Sequence, residues 1–143
     1  MYNRLSLSGI YVSIILVVCG CGEKSYPLAK VTGKVTKGGQ PVPGASVLFQ
    51  PMATSADGSA GPGSFGICDT EGRYELKTYK LKTEGAVVGQ HRVTINLPLP
   101  PGIPDDGTID PSLMAPMRFR DGSLQIEVPQ NGLDSANFEL NDK

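Results

Sequence analysis

Histidine is nearly absent from this chain: His91 is the only one in 143 residues. A zinc peptidase built on imidazole ligands needs at least two, plus a carboxylate, so that chemistry is not encoded. A serine nucleophile using His91 as its base would need a presented Ser and an orienting Asp, and there is no G-x-S-x-G elbow. Neither sign of charge is in surplus, with 13 Lys and Arg against 14 Asp and Glu. A net charge of −1 gives no electrostatic reason to expect a nucleic-acid partner, which needs clustered Lys and Arg to displace counterions, and none is expected. Tryptophan is absent, while 18 Gly and 12 Pro interrupt any long helical ladder and favour a turn-rich domain. Cysteine is limited to Cys19, Cys21 and Cys68. The length suits one domain.

Only one long apolar run is present, and it lies at the N-terminus. Arg4 precedes "LSLSGIYVSIILVVCG", too short to span a bilayer comfortably and closed by small residues. A basic start, an apolar centre and a small-residue end are the layout of a secretory signal; a retained transmembrane anchor is the competing reading. The run ends in Val18-Cys19-Gly20-Cys21, which resembles a bacterial lipobox. That resemblance implies cleavage between Gly20 and Cys21 and transfer of diacylglycerol to the Cys21 thiol. Gly20 offers the peptidase no bulk, and several acyl chains anchor far more firmly than one. Were Cys19 the lipidated residue, Val18 would occupy the small-residue position. Residues 1–20 are thus expected as a lipoprotein signal peptide and 21–30 as a tether. No Asp follows Cys21, which leans toward the outer membrane of a bacterial cell envelope, on its periplasmic or surface side. With Cys19 removed and Cys21 acylated, Cys68 has no disulfide partner. It reads as a small buried hydrophobe on a strand, with a reactive thiol as the alternative.

From Val31 the pattern changes to period two. Val31, Gly33 and Val35 alternate with Thr32, Lys34 and Thr36; after a Gly38-Gly39 turn and the Pro41–Gly44 corner, Ala45, Val47 and Phe49 resume it. "SFGICDTEGRYELKT" predicts two strands around a tight hairpin loop shaped by Asp69 and Gly72, with Tyr74, Leu76 and Thr78 on one side of the second. The stretch 79–89 is ambiguous between an extended segment and a helical turn. His91, Val93 and Ile95 mark a clear strand. Residues 98–118 hold six prolines and leave the sheet. Leu124, Ile126 and Val128, then Phe138 and Leu140, face inward on two closing strands. Seven short strands without a convincing helix predict an all-β Greek-key β-sandwich or small barrel.

The ordered motifs V-x-G-x-V, P-V-P-G-A-x-V-x-F, D-x-x-G-x-Y-x-L and G-x-H-x-V, over about residues 31–95, resemble the carboxypeptidase regulatory-like domain. The resemblance implies a seven-stranded transthyretin-like (prealbumin-like) sandwich over 31–143, non-catalytic, that stabilises, presents or binds. The several His residues and the C-terminal Tyr-Arg-Gly-Ser motif of transthyretin-like hydrolases are missing.

Individual residues refine this. Gly33 within a strand predicts a close backbone approach or a bulge. Tyr74 is expected ring-inward with its hydroxyl at the sheet edge. His91, on the apolar side of its strand, reads as a satisfied core or rim histidine. Asp105, Asp106 and Asp110 read as a solvated acidic loop, with a calcium site as the alternative, although EF-hand alternation and its distal Glu are lacking. Isopeptide-linked adhesin domains join a first-strand Lys to a last-strand Asn. Lys34 and Asn137 occupy such strands, yet alternation turns both toward water. No cofactor and no enzymatic activity are expected. The expected function is a lipid-anchored binding or scaffolding module presenting loops 51–64 and 98–118 to an envelope protein or glycan. The alternatives are a purely structural envelope lipoprotein and a Cys68-dependent redox or enzymatic protein.

Overall fold

Alternation shapes the longest strand: in the run 89–96, His91, Val93 and Ile95 are fully buried, while Gln90, Arg92 and Asn96 are exposed. A period of two buries one face only, and a sheet with one apolar face must pack against another layer. The computed structural model describes residues 25–53, 58–79, 82–102 and 108–141. Eleven strands are found there: β1 (Leu28–Ala29), β2 (Thr32–Lys37), β3 (Gln40–Pro41), β4 (Ser46–Pro51), β5 (Ser64–Ile67), β6 (Arg73–Glu75), β7 (Lys77–Thr78), β8 (Ala86–Val87), β9 (Gly89–Asn96), β10 (Gln125–Val128) and β11 (Phe138–Glu139). The chain is all-β, and among the described residues no helix is long and apolar enough to cross a membrane.

One sheet has five strands in the order β10-β9-β4-β5-β7, all antiparallel. A second is centred on β2, which pairs with β11 in parallel and with β3 and β6 antiparallel. The short β1 and β8 pair with each other. Buried residues from both larger sheets form one core, with Val47, Phe49, Val93 and Ile95 on one side and Val31, Val35, Tyr74 and Phe138 on the other. Phe138 is its hub. Its ring lies 6.4 Å from Phe49, 6.4 Å from Tyr74 and 6.5 Å from Phe119.

The structure departs from the expected strands at three places. The run 73–78 is divided at buried Leu76: β6 pairs with β2, and β7 crosses to pair with β5 in the other sheet. Gly66 permits that crossing, since a Cβ there would lie 2.7 Å from the Glu75 carbonyl oxygen. Residues 86–87, within the ambiguous stretch, are strand β8. The 98–118 excursion returns to the core through two 3₁₀ turns, Pro111–Leu113 and Met117–Phe119, burying Ala115 and Phe119.

Folded structure also begins within the span read as a tether. Tyr26 donates or accepts a 2.5 Å hydrogen bond with Ser59 and lies under Gly61; the Pro27 carbonyl accepts from Val88 N–H, and Ala29 is buried.

Candidate functional site

Strand register divides the molecule into two ends. At one end lie Gly89 of β9, Pro51 of β4, Ser64 of β5 and Thr78 of β7; at the other lie Asn96, Ser46 and Ile67. Tyr26, Pro27, residues 51–53 and residues 58–64 belong to the first end through Val88, Gly61 and Pro51. The 98–118 excursion leaves from the second, where Pro98 contacts Gly44 and the Lys37 ammonium reaches the Ser112 carbonyl at 3.4 Å. The described parts of the two loops expected to be presented, 51–64 and 98–118, therefore include residues at opposite ends, Ser59 and Gly61 at the first and Pro98 and Ser112 at the second.

Between the ends, the outward side chains of β2 and β6 and the turn before β11 enclose an open cleft of about 450 Å³. Its charged and amide side chains are Lys34, Asp69, Arg73, Glu75, Asp134 and Asn137. They converge for a backbone reason. Gly33 lets the 134–137 segment run against β2, because a Cβ would sit 2.0 Å from the Ala136 carbonyl oxygen. Tyr74 locks the same carbonyl with a buried 2.6 Å hydrogen bond from its hydroxyl, which lies in the interior and not at a sheet edge. Lys34 and Asn137 become neighbours: the Asn137 Oδ1 accepts the Lys34 backbone N–H at 2.9 Å. Neither is in the core.

Most of the cleft's charges are engaged locally. Asp69 Oδ1 accepts from the amides of Glu71 and Arg73 at 2.8 and 2.9 Å, which holds its carboxyl below the usual range. Arg73 pairs with Glu71 at 2.6 Å, and Lys30 with Glu75 at 3.1 Å. The cleft is a mixed-charge, solvent-open trough without a His, Cys or Ser, with the exposed Ile67 at its rim. It is suited to hydrogen-bonding a polar ligand.

The remaining candidates are scattered. Cys68, just beyond β5, is buried, and burial pushes its thiol up to about 11. The thiolate fraction at neutral pH is correspondingly small. His91 is wholly buried against Phe49, 5.7 Å between rings, and its Nδ1 meets the Gly89 carbonyl at 3.0 Å. Its Nε2, like the buried Ser64 hydroxyl, has no hydrogen-bond partner among the described residues, so this core histidine is satisfied at one nitrogen only. Asp110 caps the first 3₁₀ turn by accepting from the Ser112 amide at 2.9 Å. Asp105 and Asp106, and the processing site expected at Gly20 and Cys21, lie outside the described residues. Among the described residues no group of three or more His, Cys, Asp or Glu comes together to hold a metal.

No protein-family model, curated protein or solved structure matches the chain.

Proposed function

We propose that this is a lipid-anchored protein of the bacterial cell envelope, processed between Gly20 and Cys21 and acylated on Cys21. In this reading its domain is a non-catalytic binding or scaffolding module of the carboxypeptidase regulatory-like, Greek-key sandwich kind. The partner is an envelope protein or glycan, and the leaflet is that of the outer membrane.

The observation that carries the binding reading is the cleft between β2, β6 and the 134–137 turn. It is an open concavity carried on a two-sheet scaffold, with charged and amide side chains able to hydrogen-bond a polar partner. Two further observations support a module without catalysis of its own. The histidine is shut in the core, and the one thiol in the described residues is buried and held in its protonated form.

Crosslinking in intact envelopes, followed by affinity capture, tests the reading. Capture of one defined partner is expected, and it should be lost on Lys34→Glu or Arg73→Glu while the circular dichroism of the domain is unchanged. Replacing residues 100–109 by a short Gly-Ser linker spares Ala115 and Phe119 in the core. It therefore asks whether the excursion contributes separately. Partner capture indifferent to both cleft variants would count against this site, whatever the linker replacement shows.

A further inference from the structure

The chain between the proposed acylation site and the first docked side chain is short. Tyr26 is held by Ser59 and packed under Gly61, and Pro27 is tied to Val88. From Cys21 to Tyr26 there are five peptide units, which span at most about 18 Å when fully extended. By contrast β9, from Gly89 at the Tyr26 end to Asn96 at the other, rises through seven steps, about 23 Å at about 3.3 Å each. The leash is shorter than the domain is long. An anchored molecule cannot turn end over end to rest its Pro98–Ser112 end on the same bilayer.

We propose that the end marked by β1, β8, Tyr79 and residues 82–84 is a membrane-facing surface that rests on lipid headgroups. This rests on the acylation of Cys21 proposed above. Tyr79 is 55% exposed and stacked on Phe65 at 4.8 Å between rings. It also packs near Gly63, two residues from the Gly61 that receives Tyr26, so both tyrosines belong to this end. An exposed, amphipathic tyrosine supported by a second ring is the side chain that settles at headgroup depth. Lys77 and Lys82 are exposed here, with Glu84 the acidic residue beside them; Lys30, also at this end, is matched by Glu75. Glu127, paired with Gln90 beside Gly89, is a second acidic residue at this end and Asp134 faces Lys30, so charge is balanced among the described residues and the short leash and Tyr79 carry the assignment. The consequence for the binding reading is directional. Pro98 and Ser112 point away from the membrane and the cleft opens sideways, whereas residues 58–63 lie on the lipid side.

The test uses the full chain, recovered in acylated form and reconstituted into vesicles of phosphatidylethanolamine and phosphatidylglycerol. Single reporter cysteines, Glu84→Cys at the Tyr79 end and Gln40→Cys at the far end, are placed in a Cys68→Ala background and carry a fluorophore. Should that background fold poorly, Cys68 is left in place and labelling is done on the folded protein. A headgroup-nitroxide lipid should quench the label at 84 at least about threefold more than the label at 40. Equal quenching, or stronger quenching at 40, overturns the orientation. Flotation of Cys21→Ser, read separately, reports the anchor. The Cys21→Ser chain should stay in the supernatant, and if it floats as well as wild type the acylation reading fails, whatever the two labels show.

Discussion

His91 is kept neutral in the folded protein because its imidazole is buried beside Phe49 with no acceptor for a second proton at Nε2. Burial lowers its pKa from the ordinary 6.5. The unfolded chain therefore binds more protons than the folded one between that lowered value and 6.5, and stability falls as pH drops through this window. Above 6.5 the contribution is complete. The lowered carboxyls of Asp69, Asp110, Asp121 and Glu139 act further down, below their ordinary values of 3.8 and 4.5. Urea midpoints should thus decline from pH 7 to pH 5 in the wild type, and His91→Leu should flatten that decline. Two neighbours of the cleft offer sharper tests. Tyr74→Phe removes the buried bond to Ala136 and should cost about 1–2 kcal/mol in chemical denaturation. Gly33→Ala drives a Cβ into the same carbonyl and should cost about 3 kcal/mol or more. Cys68 should resist iodoacetamide in the folded state and react fully in guanidinium; rapid alkylation of the native protein would restore the thiol-dependent alternative.

At the scale of elements, Leu76 is the point where one run of chain leaves one sheet for the other. Wholly buried, it sits between β6 and β7 with its amide bonded to the Val31 carbonyl and its own carbonyl accepting from Gly85. Leu76→Ala should destabilise by about 2–5 kcal/mol, with both sheets lost in one transition, since the residue belongs to the core they share. A biphasic melt would show the sheets to be independent. The same region shows why local pattern carries only part of a fold. The alternation of Val31 with Val35, of Val47 with Phe49, and of His91 with Val93 and Ile95 is local, and it places those side chains inward. The inward side of Tyr74, Leu76 and Thr78 is equally plain in the residues. Their division between two sheets is not, because it depends on Gly66 passing the Glu75 carbonyl, a contact between separate segments. The same holds for β1 with β8, whose two-residue strands carry no periodicity, and for Ala115, which is buried although it lies in the proline-rich stretch that reads as leaving the sheet. For the cleft, Lys34 and Asn137 stand out singly. That they adjoin follows only from the parallel pairing of β11 with β2, about a hundred residues apart in the chain.

For the whole molecule, the position of residues 25–30 matters most. They are part of the folded domain, with Leu28 and Ala29 in β1 and the Lys30 carbonyl accepting from Leu133. If Cys21 is acylated as proposed, the span between lipid and domain is only a few residues, and the protein is held close to its bilayer with its two ends distinguished. Everything proposed about envelope location, orientation and the direction of the binding surface depends on one covalent event at Cys21. The most direct measurement is mass spectrometry of the N-terminal peptide from protein purified out of bacterial membranes. The account predicts that residues 1–20 are absent and that the chain begins at Cys21 carrying a diacylglyceryl group, with Cys21→Ser left unprocessed and unlabelled by a fatty-acid analogue. A mature chain that begins elsewhere, or a Cys21 without lipid, would contradict it.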